Sequence, residues 1–146
     1  MRIFTVDPGE KRIGLALSDP TGTIANPLAV INHVSRAIDA AQIASLAEEH
    51  GARRILVGVT SDEDGQLTPQ GRSASRLADA IRRQTHVPVE LWDESGSTQA
   101  ARQASISMGV SSRKRRRQGH SHIDELAATY ILQTYLDAHP SKGDGP

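Results

Sequence analysis

Arg2-Ile3-Phe4-Thr5-Val6-Asp7-Pro8-Gly9-Glu10-Lys11-Arg12-Ile13-Gly14-Leu15-Ala16-Leu17-Ser18 is the stretch on which the fold turns. Residues 2–7 are a short apolar run stopped by Asp7-Pro8-Gly9, turn chemistry that closes a strand. Residues 12–18 read as a second strand, and so little chain separates the two that they form a hairpin. Gly14 weakens that strand and marks a bulge or a close backbone approach. Residues 23–32 carry a third, weaker strand, which Pro27 confines to an edge or to its start.

Beyond residue 35 the hydrophobic period changes. Ile43, Leu46, Ala47 and His50 recur at helical spacing, predicting a helix over about 36–50 with Gly51 at its C-terminal end. Arg53-Arg54-Ile55-Leu56-Val57-Gly58-Val59-Thr60 has the continuous apolar run of a buried parallel strand. A polar loop over 61–71 leads to a helix at about 72–85, then a strand over 87–92 and a turn at 93–96. Ser97 caps a helix ending near Gly109, residues 110–119 form a basic loop, and a last helix spans about 122–137. Three strands followed by strand–helix alternation predict an α/β domain: a mixed five-stranded sheet flanked by helices.

The composition agrees. The chain has 146 residues, 37% of them hydrophobic and 23% charged, which suits one core. We expect a single domain over 1–138 and a disordered tail over 139–146. Lys and Arg total 17, as do Asp and Glu, which excludes a wholly basic coat protein and an acidic disordered chain. The absence of cysteine excludes a disulfide scaffold and thiolate zinc sites. No apolar run reaches the roughly 20 residues that span a bilayer, and the N-terminus reads straight into a strand, so a soluble cytoplasmic protein with no membrane partner is expected. Phe4, Trp92, Tyr130 and Tyr135 are the whole aromatic inventory, too few for a base-stacking platform.

Local charge is less even. Arg102, Arg113, Lys114, Arg115, Arg116 and Arg117 fall between Glu94 and Asp124 with no intervening acid. Arg113 to Arg117 is the best phosphate-binding patch, although a charged run in a loop is often only solvated. Lys11 and Arg12 are weaker phosphate candidates beside the first turn.

Three acidic positions suggest chemistry. Asp7 ends the first strand, and the carboxyl ends of strands are where open α/β sheets bind ligands. Asp93-Glu94 ends the last strand, and Asp124 lies in the first turn of the last helix. Each has an ordinary reading: Asp7 as a turn residue, Asp93-Glu94 as a solvated loop start, Asp124 as a capping acid favoured by the helix dipole. Together they can converge, and carboxylates that close repel unless cations neutralise them. Mg²⁺ or Mn²⁺ suits such oxygens, and two ions about 4 Å apart can activate water against a phosphodiester.

The chain resembles the YqgF/RuvX family of RNase H-like proteins up to about Ala138. The resemblance is carried by residues 6–16, by Val57-Gly58-Val59 with Asp64-Gly65 beyond, by Val89-Glu90-Leu91-Trp92-Asp93-Glu94, and by residues 123–136. It implies an RNase H-like fold, a likeness to Holliday junction resolvases, and a nuclease role at the 5′ end of precursor 16S ribosomal RNA. Carried over position by position, it implies metal ligands at Asp7, Glu94 and Asp124, with Asp93 as the alternative to Glu94. Two departures stand out. The family places arginine after Asp-Glu where this chain has Ser95-Gly96-Ser97-Thr98, which removes a charge-assisted contact. Its Val-Gly-Leu-Pro turn is here Val57-Gly58-Val59-Thr60, followed by acidic Ser61-Asp62-Glu63-Asp64.

Three functions compete. The first is a metal-dependent endonuclease acting on structured nucleic acid, either pre-rRNA or branched DNA. The second is a non-catalytic nucleic-acid-binding factor for ribosome assembly, suggested by Ser95-Gly96. An actin-like ATPase is a distant third, since one lobe cannot enclose a nucleotide. A resolvase faces a two-fold substrate, so that reading brings a homodimer with it. His120 and His122, near Asp124, are weaker candidates for a proton shuttle.

Overall fold

The computed structural model describes residues 1–93 and 121–140, apart from the side chains of residues 121–125. Eight elements follow in order: β1 (Ile3–Pro8), β2 (Arg12–Ser18), β3 (Ala25–Asn32), α1 (Arg36–Glu49), β4 (Arg54–Val59), α2 (Pro69–Arg82), β5 (Val89–Asp93) and α3 (Ser121–Ala138). The expected helix over 97–109, the basic loop and residues 141–146 lie outside the described residues.

The strands form one sheet in the order β3-β2-β1-β4-β5. β1 pairs antiparallel with β2 and parallel with β4, and β5 runs parallel to β4. The sheet is therefore mixed, with five strands, as expected. β3 is an edge strand and accommodates Pro27 beside a register shift between Leu15 and Ala16. At an edge, a residue without an N–H costs the ladder little.

Alternation along the central strands divides the core. Phe4, Val6, Ile13, Leu15, Ile55 and Val57 pack with Ala40, Ile43 and Ala47 of α1 and with Leu77, Ala78 and Ile81 of α2. Ile3, Ala16 and Leu56, with the opposite parity, pack with Ala128, Leu132, Tyr135 and Leu136 of α3. The sheet thus has α1 and α2 on one face and α3 on the other.

Helix ends follow their caps. Ser35 accepts from Ile38 N at the start of α1. At its other end Gly51 takes φ 69°, Gly51 N donates to Glu48 O and Ala52 N to Ala47 O, a paired left-handed cap. α2 begins at Pro69, not near 72, because Thr68 accepts from Gly71 N at 3.0 Å and Pro69 suits the first turn. Gly71, which reads as loop in the sequence, is a close-approach glycine: a Cβ there would meet Thr60 O at 2.3 Å. β5 starts at Val89, since Pro88 has no N–H to give the ladder, and it continues through Asp93, which the sequence reading placed in the turn.

Candidate active site at the carboxyl edge of the sheet

Asp7 stands near the carboxyl end of the central strand, half-buried. It shares parity with Ile3 and Thr5, so it lies on the face covered by α3. Its cross-strand partner on β2 is Gly14. On the other side Val6 pairs with Val57, which brings Gly58 alongside Asp7, and Gly58 in turn pairs with Trp92. Gly14 and Gly58 have the parity of Ala16 and Leu56, the α3 side. Neither neighbouring strand therefore sets a side chain beside the Asp7 carboxylate on its own face, and the glycine that weakened the second strand acquires a local reason.

α3 is held firmly to that face. Gln133 Oε1 accepts from Ala25 N at 3.0 Å and its Nε2 donates to Thr23 O at 3.2 Å. Trp92 Nε1 donates to Thr134 Oγ1 at 3.1 Å. Arg54 Nη1 donates to Tyr135 Oη at 2.6 Å and to Glu90 at 3.0 Å. The rings of Trp92 and Tyr135 meet edge to face at 5.1 Å, and His139 stacks on Tyr135 at 4.2 Å. Three of the scarce aromatic and imidazole rings on this side thus pack against one another. These contacts set the C-terminal end of α3 over the starts of β1 and β4.

Asp124 lies in the first turn of α3. From Tyr135 back to Asp124 is about 16 Å along a helix, and from Ile3 to Asp7 about 13 Å along a strand. The helix is long enough to carry its first turn to the level of Asp7. The side chain of Asp124 lies outside the described residues, as do Glu94 and Arg113, Lys114, Arg115, Arg116 and Arg117. Among the described residues no three His, Asp or Glu side chains are grouped to hold a metal ion.

Asp93 lies elsewhere. It has the parity of Val89 and Leu91, which pack toward α1 and α2, and it accepts from Ser61 Oγ at 2.5 Å. Glu90 and Trp92 have the other parity, facing α3. The acidic loop after β4 is also partly occupied with itself. Asp62 accepts from Asp64 N and Gln66 N at 2.9 and 3.0 Å, and Gly65 turns the chain at φ 81°. Lys11 is exposed in the β1–β2 turn, and Arg12 opens β2 half-buried.

Directly behind Asp7 on the same face, Thr5 is fully buried and its hydroxyl has no hydrogen-bond partner among the described residues. The donor set suits a hard divalent cation: an aspartate oxygen, space cleared by two glycines, and an orphaned polar atom one pleat deeper. The sequence reading missed Thr5, though the alternation of β1 places residues 3, 5 and 7 together.

A family model described as "RuvX: Holliday junction resolvase" matches residues 1–138. The chain belongs to the RuvX family. A relative from Clostridium beijerinckii is 36% identical over 137 residues, covering 94% of this chain and 96% of its own. One from Thermoanaerobacter pseudethanolicus is 37% identical over 142 residues, covering 97% and 100%. Both carry the name "Putative pre-16S rRNA nuclease". Among solved structures, Thermus thermophilus RuvC in complex with Holliday junction substrate aligns with a TM-score of 0.59 at 16% identity, covering 96% of this chain and 97% of that one. The Fowlpox virus resolvase with Holliday junction DNA aligns at 0.54 and 13% identity, covering 94% and 98%. At such identities the likeness establishes the fold, which is RNase H-like.

Proposed function

We propose that this RuvX-family chain is a metal-dependent endonuclease that hydrolyses phosphodiester bonds of structured nucleic acid, with the 5′ end of pre-16S rRNA as its substrate. One observation carries the reading: Asp7, flanked by Gly14 and Gly58, ends the central strand on the face of the helix whose first turn holds Asp124.

Asp7, Glu94 and Asp124 are the proposed ligands for Mg²⁺ or Mn²⁺. Between Asp93 and Glu94 we take Glu94, since Asp93 is engaged by Ser61 and has the parity of Val89 and Leu91, on the face away from α3. A bound divalent ion lowers the pKa of its water and neutralises charge on the reacting phosphate. The ladders on both sides of β1 hold the Asp7 backbone in place, so the ligand is set before substrate arrives. Arg113 to Arg117, with Lys11 and Arg12, supply the cations for the polyanion.

The pre-rRNA substrate is supported by the names of the relatives, and branched DNA by the family description. A cleavage assay with Mg²⁺ or Mn²⁺ tests both, using a pre-16S rRNA fragment and a four-way DNA junction side by side. Cutting of the RNA that is lost in EDTA and in Asp7→Asn is the expected result. Cutting of the junction alone assigns the resolvase substrate, and binding without cutting assigns a non-catalytic assembly factor.

A further inference from the structure

On the sheet face opposite α3, at the same carboxyl edge, a cavity of about 370 Å³ opens between the β1–β2 turn and the start of α1. Its walls include Pro8, Glu10, His33, Arg36, Asp39 and Ser73. A second cavity of about 280 Å³ shares Pro8, Gly9, Glu10 and Ser73 and extends toward the start of α2. The larger one has room for one nucleotide unit.

Three features give this cavity a chemical character. Asp39 is buried at 2% exposure, and its carboxylate accepts from Val34 N at 3.0 Å and from the imidazole of His33 at Nδ1. That pairing sets the ring plane and leaves Nε2, on a side chain 43% exposed, as the nitrogen for a ligand. His33 N also donates to Lys11 O at 2.9 Å, which ties this group to the turn after Asp7. Arg36 is the third feature. It is the first residue of α1, where the helix dipole disfavours a cation, and its side chain makes no ion pair or hydrogen bond among the described residues. An arginine against the dipole and beside a cavity is stabilised once an anion lies next to it. Two carboxylates share the lining: Glu10 is exposed on the turn, and Asp39 is buried and engaged by Val34 N and His33.

We propose that this cavity is a phosphate subsite for the polynucleotide, in which Arg36, with the exposed Nε2 edge of His33 beside it, contacts one phosphate of the strand bound at the Asp7 edge. It lies on the other side of the sheet from the proposed metal ligands and rests on the nuclease reading for its ligand.

The test is fluorescence anisotropy of a labelled single-stranded RNA with the full chain in EDTA, over a salt series. Arg36→Glu is expected to weaken binding five- to tenfold, and Arg36→Ala to lower the slope of log affinity against log salt by about 0.7, the release expected for one phosphate contact. His33→Ala should weaken binding less, and the exposed Arg83→Glu at the far end of α2 should change it less than twofold. A parallel titration with inorganic phosphate should shift the amide signals of Ser35 and Arg36. Phosphate shifts without any change in RNA binding would overturn the polynucleotide assignment in favour of a free phosphate or mononucleotide. An unchanged slope with no phosphate shifts overturns the subsite itself. If Arg36→Glu cleaves RNA like the parent chain at equal KM, this proposal fails alone, whereas a parent chain that never cleaves defeats the nuclease reading.

Discussion

Asp7 and Gly14 are cross-strand partners on the antiparallel β1–β2 ladder, and both face α3. Directly opposed positions hold their Cβ atoms about 5 Å apart, so a side chain at 14 stands against the carboxylate. Gly14→Val should lower metal-dependent cleavage at least tenfold while the fold persists, because valine suits a strand. Cleavage rates alongside thermal unfolding check this; unchanged cleavage in a folded Gly14→Val would show that the space is not used.

Thr5 carries a buried hydroxyl without a partner among the described residues, and such a group costs about 1–3 kcal/mol. Thr5→Val keeps the shape and removes the polar atom, so the metal-free chain should gain about 1 kcal/mol in urea unfolding. A loss of stability would mean that the hydroxyl is satisfied in solution.

Metal linkage at Asp7 has a readout independent of catalysis. A ligand that binds only the folded state stabilises it by mass action, about 2.7 kcal/mol at a hundredfold excess over Kd. Mn²⁺ should therefore raise the Tm of the parent chain, and Asp7→Asn should abolish the rise together with at least a hundredfold of cleavage. A Tm rise of equal size in Asp7→Asn would remove Asp7 from the ligand set.

Asp19 organises the β2–β3 turn. Its carboxylate accepts from Ile24 N, from the Thr21 hydroxyl and from Thr23 N, and these bonds hold its pKa well below the usual carboxylate range. A lowered pKa contributes stability above the unfolded value near 4, and this is lost progressively as pH falls below it. Asp19→Asn should therefore flatten the acid limb of the stability profile below about pH 4 relative to the parent chain. Urea midpoints measured between pH 2 and 7 decide it, and parallel acid limbs would exclude Asp19 as a contributor.

Much of the architecture was legible because its signals are local. Turn residues after Asp7, the continuous apolar run 53–60 and the helical spacing from Ile43 each act within a few residues. The start of α2 was misjudged because Gly71 resembles loop, whereas only its approach to Thr60 O reveals why glycine is needed inside a helix. Asp93 and Glu94 stayed open as alternatives, since sequence alone does not say toward which face of the sheet Asp93 turns. The group of His33, Arg36 and Asp39 was invisible: it joins the end of one strand to the first turn of a helix, and its spacing fits no motif.

By itself the sequence determined the order of the described strands and helices, the resemblance to the RuvX family, and the acids worth testing, because periodicity, turn chemistry and motif identity are properties of neighbouring residues. Tertiary structure decided which residues share a face. Strand register set Gly14 and Gly58 on either side of Asp7, parity turned Asp93 toward Ser61, and the anchoring of α3 through Gln133, Thr134 and Tyr135 brought its first turn to the carboxyl edge. Such pairings join residues tens of positions apart, and only the packing of both faces of the sheet selects them.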